Sequence, residues 1–250
     1  MRRSAAVLGQ ALWRFRLDIL ALVVVATIMT FAVDVIPLQA VAGVVPLLGI
    51  VVSIFIGFRN RNAYNRWWEA RTLWGGIIAN GRSLHYALIA YEDGTPEMAA
   101  ITDRMRRREV RHAWQLAAEL RGIPAAPELT DLTPEDLPGA SSTELLARQS
   151  ADIAELSHAG LIDRQARRVL VTINSAQVAT ATGLERVRRQ PIPRFYDLFT
   201  RGLAWFFAII VCTRLDTGGH DSAVGIVLGV VIMALVITAE RLGHLLEQPM

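Results

Sequence analysis

Pro46-Leu47-Leu48-Gly49-Ile50-Val51-Val52-Ser53-Ile54-Phe55-Ile56-Gly57-Phe58-Arg59-Asn60-Arg61-Asn62-Ala63-Tyr64-Asn65-Arg66 joins an apolar half to a polar half with no helix breaker between them. Pro46 is a favoured first-turn residue, and the 13 residues from Pro46 to Phe58 carry no charge. At 1.5 Å each they rise only about 20 Å, short of the ~30 Å hydrocarbon core of a bilayer. The next glycine pair is Gly75-Gly76, so the helix runs unbroken into arginine and asparagine. Such polar residues are tolerated at membrane depth only where protein or water shields them from lipid. The stretch predicts an inner helix, hidden from lipid, that leaves the membrane without a break.

The rest of the chain supplies a setting for that helix. Of 250 residues, 52% are hydrophobic and 20% charged, and the mean hydropathy is +0.33. These values fit together if apolar and charged residues occupy different stretches. Charge-free runs cover 19–33, 35–58, 202–213 and 222–239, the second broken by Pro37, Gly43 and Pro46. The first and fourth approach the roughly 20 residues of a membrane-spanning helix. The third does so if Arg201 faces protein or snorkels. No small-residue cleavage pattern follows the first run, so a removable signal peptide is not expected.

The basic residues are all arginine, and 19 of the 26 lie within 59–194. Arg2, Arg3, Arg14 and Arg16 precede the first run, whereas 34–45 holds no arginine and 214–221 holds one. By the positive-inside tendency, both termini and the middle of the chain are cytoplasmic. The division expected is 1–58 with spans one and two, 59–194 as a cytoplasmic helical domain, and 195–250 with spans three and four.

No alternating strand pattern occurs in the middle domain, so all-α is the expected class. Residues 102–121 carry a helical stripe of Met105, Val110, Ala113, Trp114, Ala117 and Leu120. Pro124, Pro127, Pro134 and Pro138 mark 122–142 as a surface loop. Ser142 or Thr143 suits the N-cap of a helix towards Ala159, and Asp163 suits that of a long helix over 163–187. The arginine run at 104 and 106–108 reads as a solvated face with intrahelical ion pairs to Asp103, Glu109 and Glu119. With a net charge of only +3, no nucleic-acid partner is expected. Histidines at 85, 112, 158, 220 and 244 show no metal-ligand spacing, and Cys212 is the lone cysteine. Neither a phosphate-binding glycine loop nor a nucleophile motif is present. The expectation is no enzyme, no cofactor and no metal.

Four spans leave little room for a conduit within one subunit, so a pore would form between copies. Ile50, Ile54 and Phe58 recur every four residues and share one helix face. A ring of such faces would make a hydrophobic constriction, with Ser53 and Gly57 allowing close helix approach. Periodicity alone suits ordinary helix packing better.

Residues 46–60, then Ala63-Tyr64-Asn65-Arg66-Trp67-Trp68-Glu69-Ala70-Arg71 and Leu73-Trp74-Gly75, strongly resemble the bacterial bestrophin family. Gly183-Leu184-Glu185-Arg186-Val187, Pro191-Ile192-Pro193, and Glu240, Gly243 and Glu247-Gln248-Pro249 agree with it. The resemblance implies a homopentamer in the inner or plasma membrane around one central pore. Its neck would be Ile50, Ile54 and Phe58, with a second aperture mapped to Ile162. It implies passive conduction of monovalent ions, chloride first, with a sodium-type cation channel as the alternative. A membrane-anchored scaffold without conduction is the rival from another class. Relatives with a calcium clasp place several acids after the last span; only Glu240 and Glu247 stand there, so no clasp is expected. Leu184, Arg189-Gln190 and Met250 also depart from the family pattern. Trp67, Trp68 and Trp74 are expected to pack beside Arg66 and Arg71, and Glu185 to pair with an arginine of the second helix. Asp34 is an entrance candidate that reads better as an exposed helix-end acid.

Overall fold

The computed structural model describes residues 20, 24, 28, 44–190, 193–215 and 230–241. Every regular element among them is helical. α1 is Val44–Tyr91, α2 Pro96–Arg121, α3 Ser142–His158, α4 Arg164–Arg189 and α5 Arg194–Leu215, with a 3-10 turn at Pro127–Leu132. The helical residues 230–241 form α6. The chain divides into two units, Met1–Asn65 with Ile192–Gln248, and Arg66–Pro191 with Pro249–Met250. α1 is one unbroken helix through that division, as its sequence predicts. Most of the first expected span, and residues 222–229 of the fourth, lie outside the described residues. Among those described, no helix is long and apolar enough to cross a membrane.

α1 buries every seventh residue from Ile56, namely Ile56, Ala63, Ala70, Ile77 and Leu84, with Val52, Arg59 and Leu88 buried beside them. A repeat near 3.5 residues per turn keeps one seam facing inward through a long helix. In the first unit that seam meets α5 and α6, with Val52, Ile56 and Ala204 at the centre and Leu48, Phe207, Val236 and Ala239 around them. Gly49 permits the approach, since a Cβ there would stand 3.3 Å from the Phe207 ring. A Cβ at Gly57 would meet nothing within 4 Å, so within the subunit Gly49 takes the role expected of Gly57.

The second unit packs α1 with α2, α3 and α4 around Leu84, Leu88, Met98, Met105, Ile153, Leu156 and Leu170. Local chemistry sets each helix start. Thr95 accepts from the Met98 amide, Ser141 and Glu144 form a reciprocal capping box, and Asp163 accepts from the Ala166 amide at 2.6 Å. The α3 cap, Ser141, is thus one residue before the candidate Ser142 and two before Thr143. Gly122 ends α2 at φ 67°, where its amide reaches the Ala118 and Glu119 carbonyls, a left-handed stop that suits glycine.

α2 differs from expectation. Of the expected stripe Met105 and Leu120 are buried, but Val110 and Trp114 are exposed, and the buried seam also takes in Met98, Ile101, Arg108, His112 and Leu116. The arginine run is not a solvated face. Arg108 is 2% exposed, with Nε donating to Asp136 Oδ2 at 2.6 Å and Nη2 to Asp136 Oδ1 at 2.9 Å. Its Nη1 pairs with Asp152. Arg104 reaches Asp152 at 2.8 Å and Glu155 at 2.6 Å on α3. Within the run, only Arg107 with Asp103, at 3.0 Å, makes an intrahelical pair among the described residues. Arg111 donates to Thr133 Oγ1 at 2.7 Å and to the Leu137 and Pro138 carbonyls at 2.7 and 3.0 Å. The proline-rich loop is therefore a surface loop pinned from within, buried at Thr133, Asp136 and Ala140.

Candidate functional site

Opposite its buried seam, the N-terminal part of α1 leaves Ile50, Ile54 and Phe58 exposed, at 59%, 49% and 58%. Three large apolar side chains in register on one face are held outward because Val52 and Ile56 take the inward positions. Ser53 spends its hydroxyl on the Gly49 carbonyl one turn back, at 2.8 Å. Its polarity is absorbed by the helix itself.

Directly after this apolar segment the seam turns polar. Arg59 is fully buried and pairs with Asp197 of α5 and Glu240 of α6. It also donates to the Glu240 carbonyl at 3.1 Å, and Asn60 donates to the Ala239 carbonyl at 3.0 Å. A buried charge is tolerated only when it is paired and hydrogen-bonded, and here one guanidinium ties three helices. Phe55 adds an edge contact to Phe199, with centroids 5.3 Å apart. Sequence reasoning misses this cluster, although a signal exists. Arg59 and Glu240 each close an apolar run, and Asp197 opens another. With the topology expected, all three fall at one end of their spans.

Beyond Arg59, the residues Arg61, Asn62 and Asn65 differ in placement from the buried guanidinium, and Arg61 is exposed. In the second unit, Arg66 donates to the Val187 and Gln190 carbonyls at the end of α4. Glu69 pairs with Arg186 at 2.6 Å. The expected pairing of Glu185 with α1 is therefore reversed: α1 supplies the acid, and Glu185 pairs with Arg189 of its own helix at 3.3 Å. The Arg71 guanidinium lies 5.6 Å from the Trp67 ring centroid, within α1. Ile162 is 8% exposed and packs in the core with Leu84, Leu88 and Met98. Asp34, Glu247 and Met250 lie outside the described residues, and no cluster of metal-ligating side chains occurs among those described.

Two ionisable groups stand three residues apart on α2, Glu109 half-buried and His112 buried. Burial pushes Glu109 up to about 7; its partner is Gln177, which donates through Nε2. Burial holds His112 down at about 4, against an opposing pull from Glu119. Neither His112 ring nitrogen has a hydrogen-bond partner among the described residues.

This helical architecture is that of a known class of membrane channel proteins. A bacterial bestrophin homologue from Klebsiella pneumoniae, in a single-site variant form, superposes with a TM-score of 0.82 at 24% identity, covering 95% of this chain and 88% of that one. A second structure of the Klebsiella homologue gives 0.79 at 23% identity, covering 92% and 88%. The bacterial/fungal bestrophin family matches residues 2–250, and the chain belongs to that family. It is a family of ion channels rather than enzymes. A voltage-dependent anion channel-forming protein of Mesorhizobium japonicum is 29% identical over 177 residues, 69% of this chain and 55% of the relative. One from Escherichia coli K12 is 29% identical over 218 residues, 81% of this chain and 67% of the relative. The chain thus spans between about half and two thirds of the length of these relatives.

Proposed function

We propose that the chain conducts ions passively as a homopentamer, with five copies of α1 around a central pore. Ile50, Ile54 and Phe58 form its hydrophobic neck. The observation that carries this is the exposure of the triad in register, opposite the buried seam of the same helix. Such a constriction passes or blocks ions by wetting and dewetting. Each copy spans the inner or plasma membrane four times, with both termini cytoplasmic. The second unit lines a cytoplasmic vestibule.

Assembly has support outside the neck. Ile78, Val110 and Trp114 line an open groove of about 460 Å³ with Arg82, His85 and Arg106. An exposed apolar surface of this kind suits a neighbouring copy. The permeant ions are monovalent anions, chloride first, in keeping with the anion channel-forming relatives. A monovalent-cation channel would use the same frame.

Planar-bilayer recordings of the purified protein in asymmetric salt test this. Ile50→Ala, Ile54→Ala and Phe58→Ala are each expected to raise open conductance by widening a dewetted ring. Unchanged conductance in all three would remove the neck from α1.

A further inference from the structure

We infer that Arg61 is the residue that biases the pore towards anions, an inference that rests on the neck proposed above. Arg61 follows Ile50 by eleven residues and Ile54 by seven. At about 100° per residue, it lies within about 20° of each around the helix. It therefore shares the face of the triad, about 4.5 Å along the axis past Phe58. It is exposed, and among the described residues it makes no hydrogen bond and no ion pair.

The helix sorts two neighbouring guanidiniums to opposite fates. Arg59 faces inward and its charge is matched by Asp197 and Glu240. Arg61 faces outward, and no acidic residue occurs on the chain between Asp34 and Glu69 to offset it. The nearby polar side chains of Asn62 and Asn65 are neutral. In a pentamer, five Arg61 charges would ring the path one turn beyond the last apolar ring. Apolar rings cannot distinguish the sign of an ion, whereas a charged ring can. Beside a narrow, poorly polarisable neck the field of that ring is less screened than in open water.

The test is reversal potential in asymmetric sodium chloride for the wild type, Arg61→Lys, Arg61→Gln and Arg61→Glu. The wild type is expected to prefer chloride. Arg61→Lys is expected to keep that preference, Arg61→Gln to lose about tenfold in the chloride-to-sodium ratio, and Arg61→Glu to reverse it. The preference should also shrink as salt rises from about 0.1 to about 1 M, where the screening length falls from about 10 to about 3 Å. Arg61→Gln should lose that salt dependence, which a merely structural role would not affect. A conducting, anion-selective wild type whose selectivity survives Arg61→Gln and Arg61→Glu overturns the inference and leaves the neck standing. A cation-selective wild type also overturns it. If Ile50→Ala, Ile54→Ala and Phe58→Ala all leave conductance unchanged, the neck fails and the inference fails with it.

Discussion

Glu109 and His112 are both poor in partners, and burial moves them in opposite directions. Glu109 rises from 4.5 to about 7, so between those values the folded chain keeps a proton that the unfolded chain releases. Its contribution to stability therefore falls as pH rises through that window. His112 drops from 6.5 to about 4, so over that range the unfolded chain takes up a proton that the folded chain refuses. Its contribution falls as pH drops. Between pH 4.5 and 6.5 the two slopes oppose each other and the wild type should change little on their account. Glu109→Gln is expected to uncover a loss of stability on acidification, and His112→Leu a gain. Thermal melts in detergent across that range check both. Parallel curves for all three proteins would contradict the assignment. Single residues were the least legible scale in the sequence. Arg108 and Arg111 sit at positions that a polarity pattern assigns to solvent. They are buried because carboxylates and carbonyls 22 to 44 residues away meet them.

Elements were more legible. Asp163 opens α4 where its capping chemistry suggests, and the glycine-free, proline-free run through Arg121 is a helix that begins earlier, at Pro96. The stripe expected on α2 was buried only in part, at Met105 and Leu120 but not at Val110 and Trp114, because α2 meets partners on a face that includes two arginines. The proline-rich loop was legible as a loop, but its anchoring was not. Arg111→Ala should free it, removing bonds to Thr133, Leu137 and Pro138. Hydrogen bonds from a charged donor contribute about 1.5–3 kcal/mol each, though they will not add in full. Limited proteolysis is expected to cut within 122–142 much faster in this variant. Arg111→Lys should rescue only in part, since an ammonium lacks the planar fork that spans three acceptors. Equal cutting of wild type and Arg111→Ala would show that the clamp is dispensable.

At the scale of the whole molecule, the exposed face of Ile50, Ile54 and Phe58 and the exposed groove of the second unit are both surfaces that one chain leaves unused. Mass measurement in mild detergent is expected to give about five times the 27.6 kDa of a single chain. A monomer would remove the pore and favour a membrane-anchored scaffold. The sequence by itself determined the helical class, the unbroken α1 and the shared face of Ile50, Ile54 and Phe58. It could do so because periodicity, helix breakers and caps act over a few residues. Only the tertiary structure decided which arginines are neutralised and which remain exposed. Arg59 and Arg61 are two residues apart and chemically identical, yet about 160° of helix rotation separates them. One meets Asp197 and Glu240 from distant helices and the other stays exposed, since pairing depends on what the fold brings alongside.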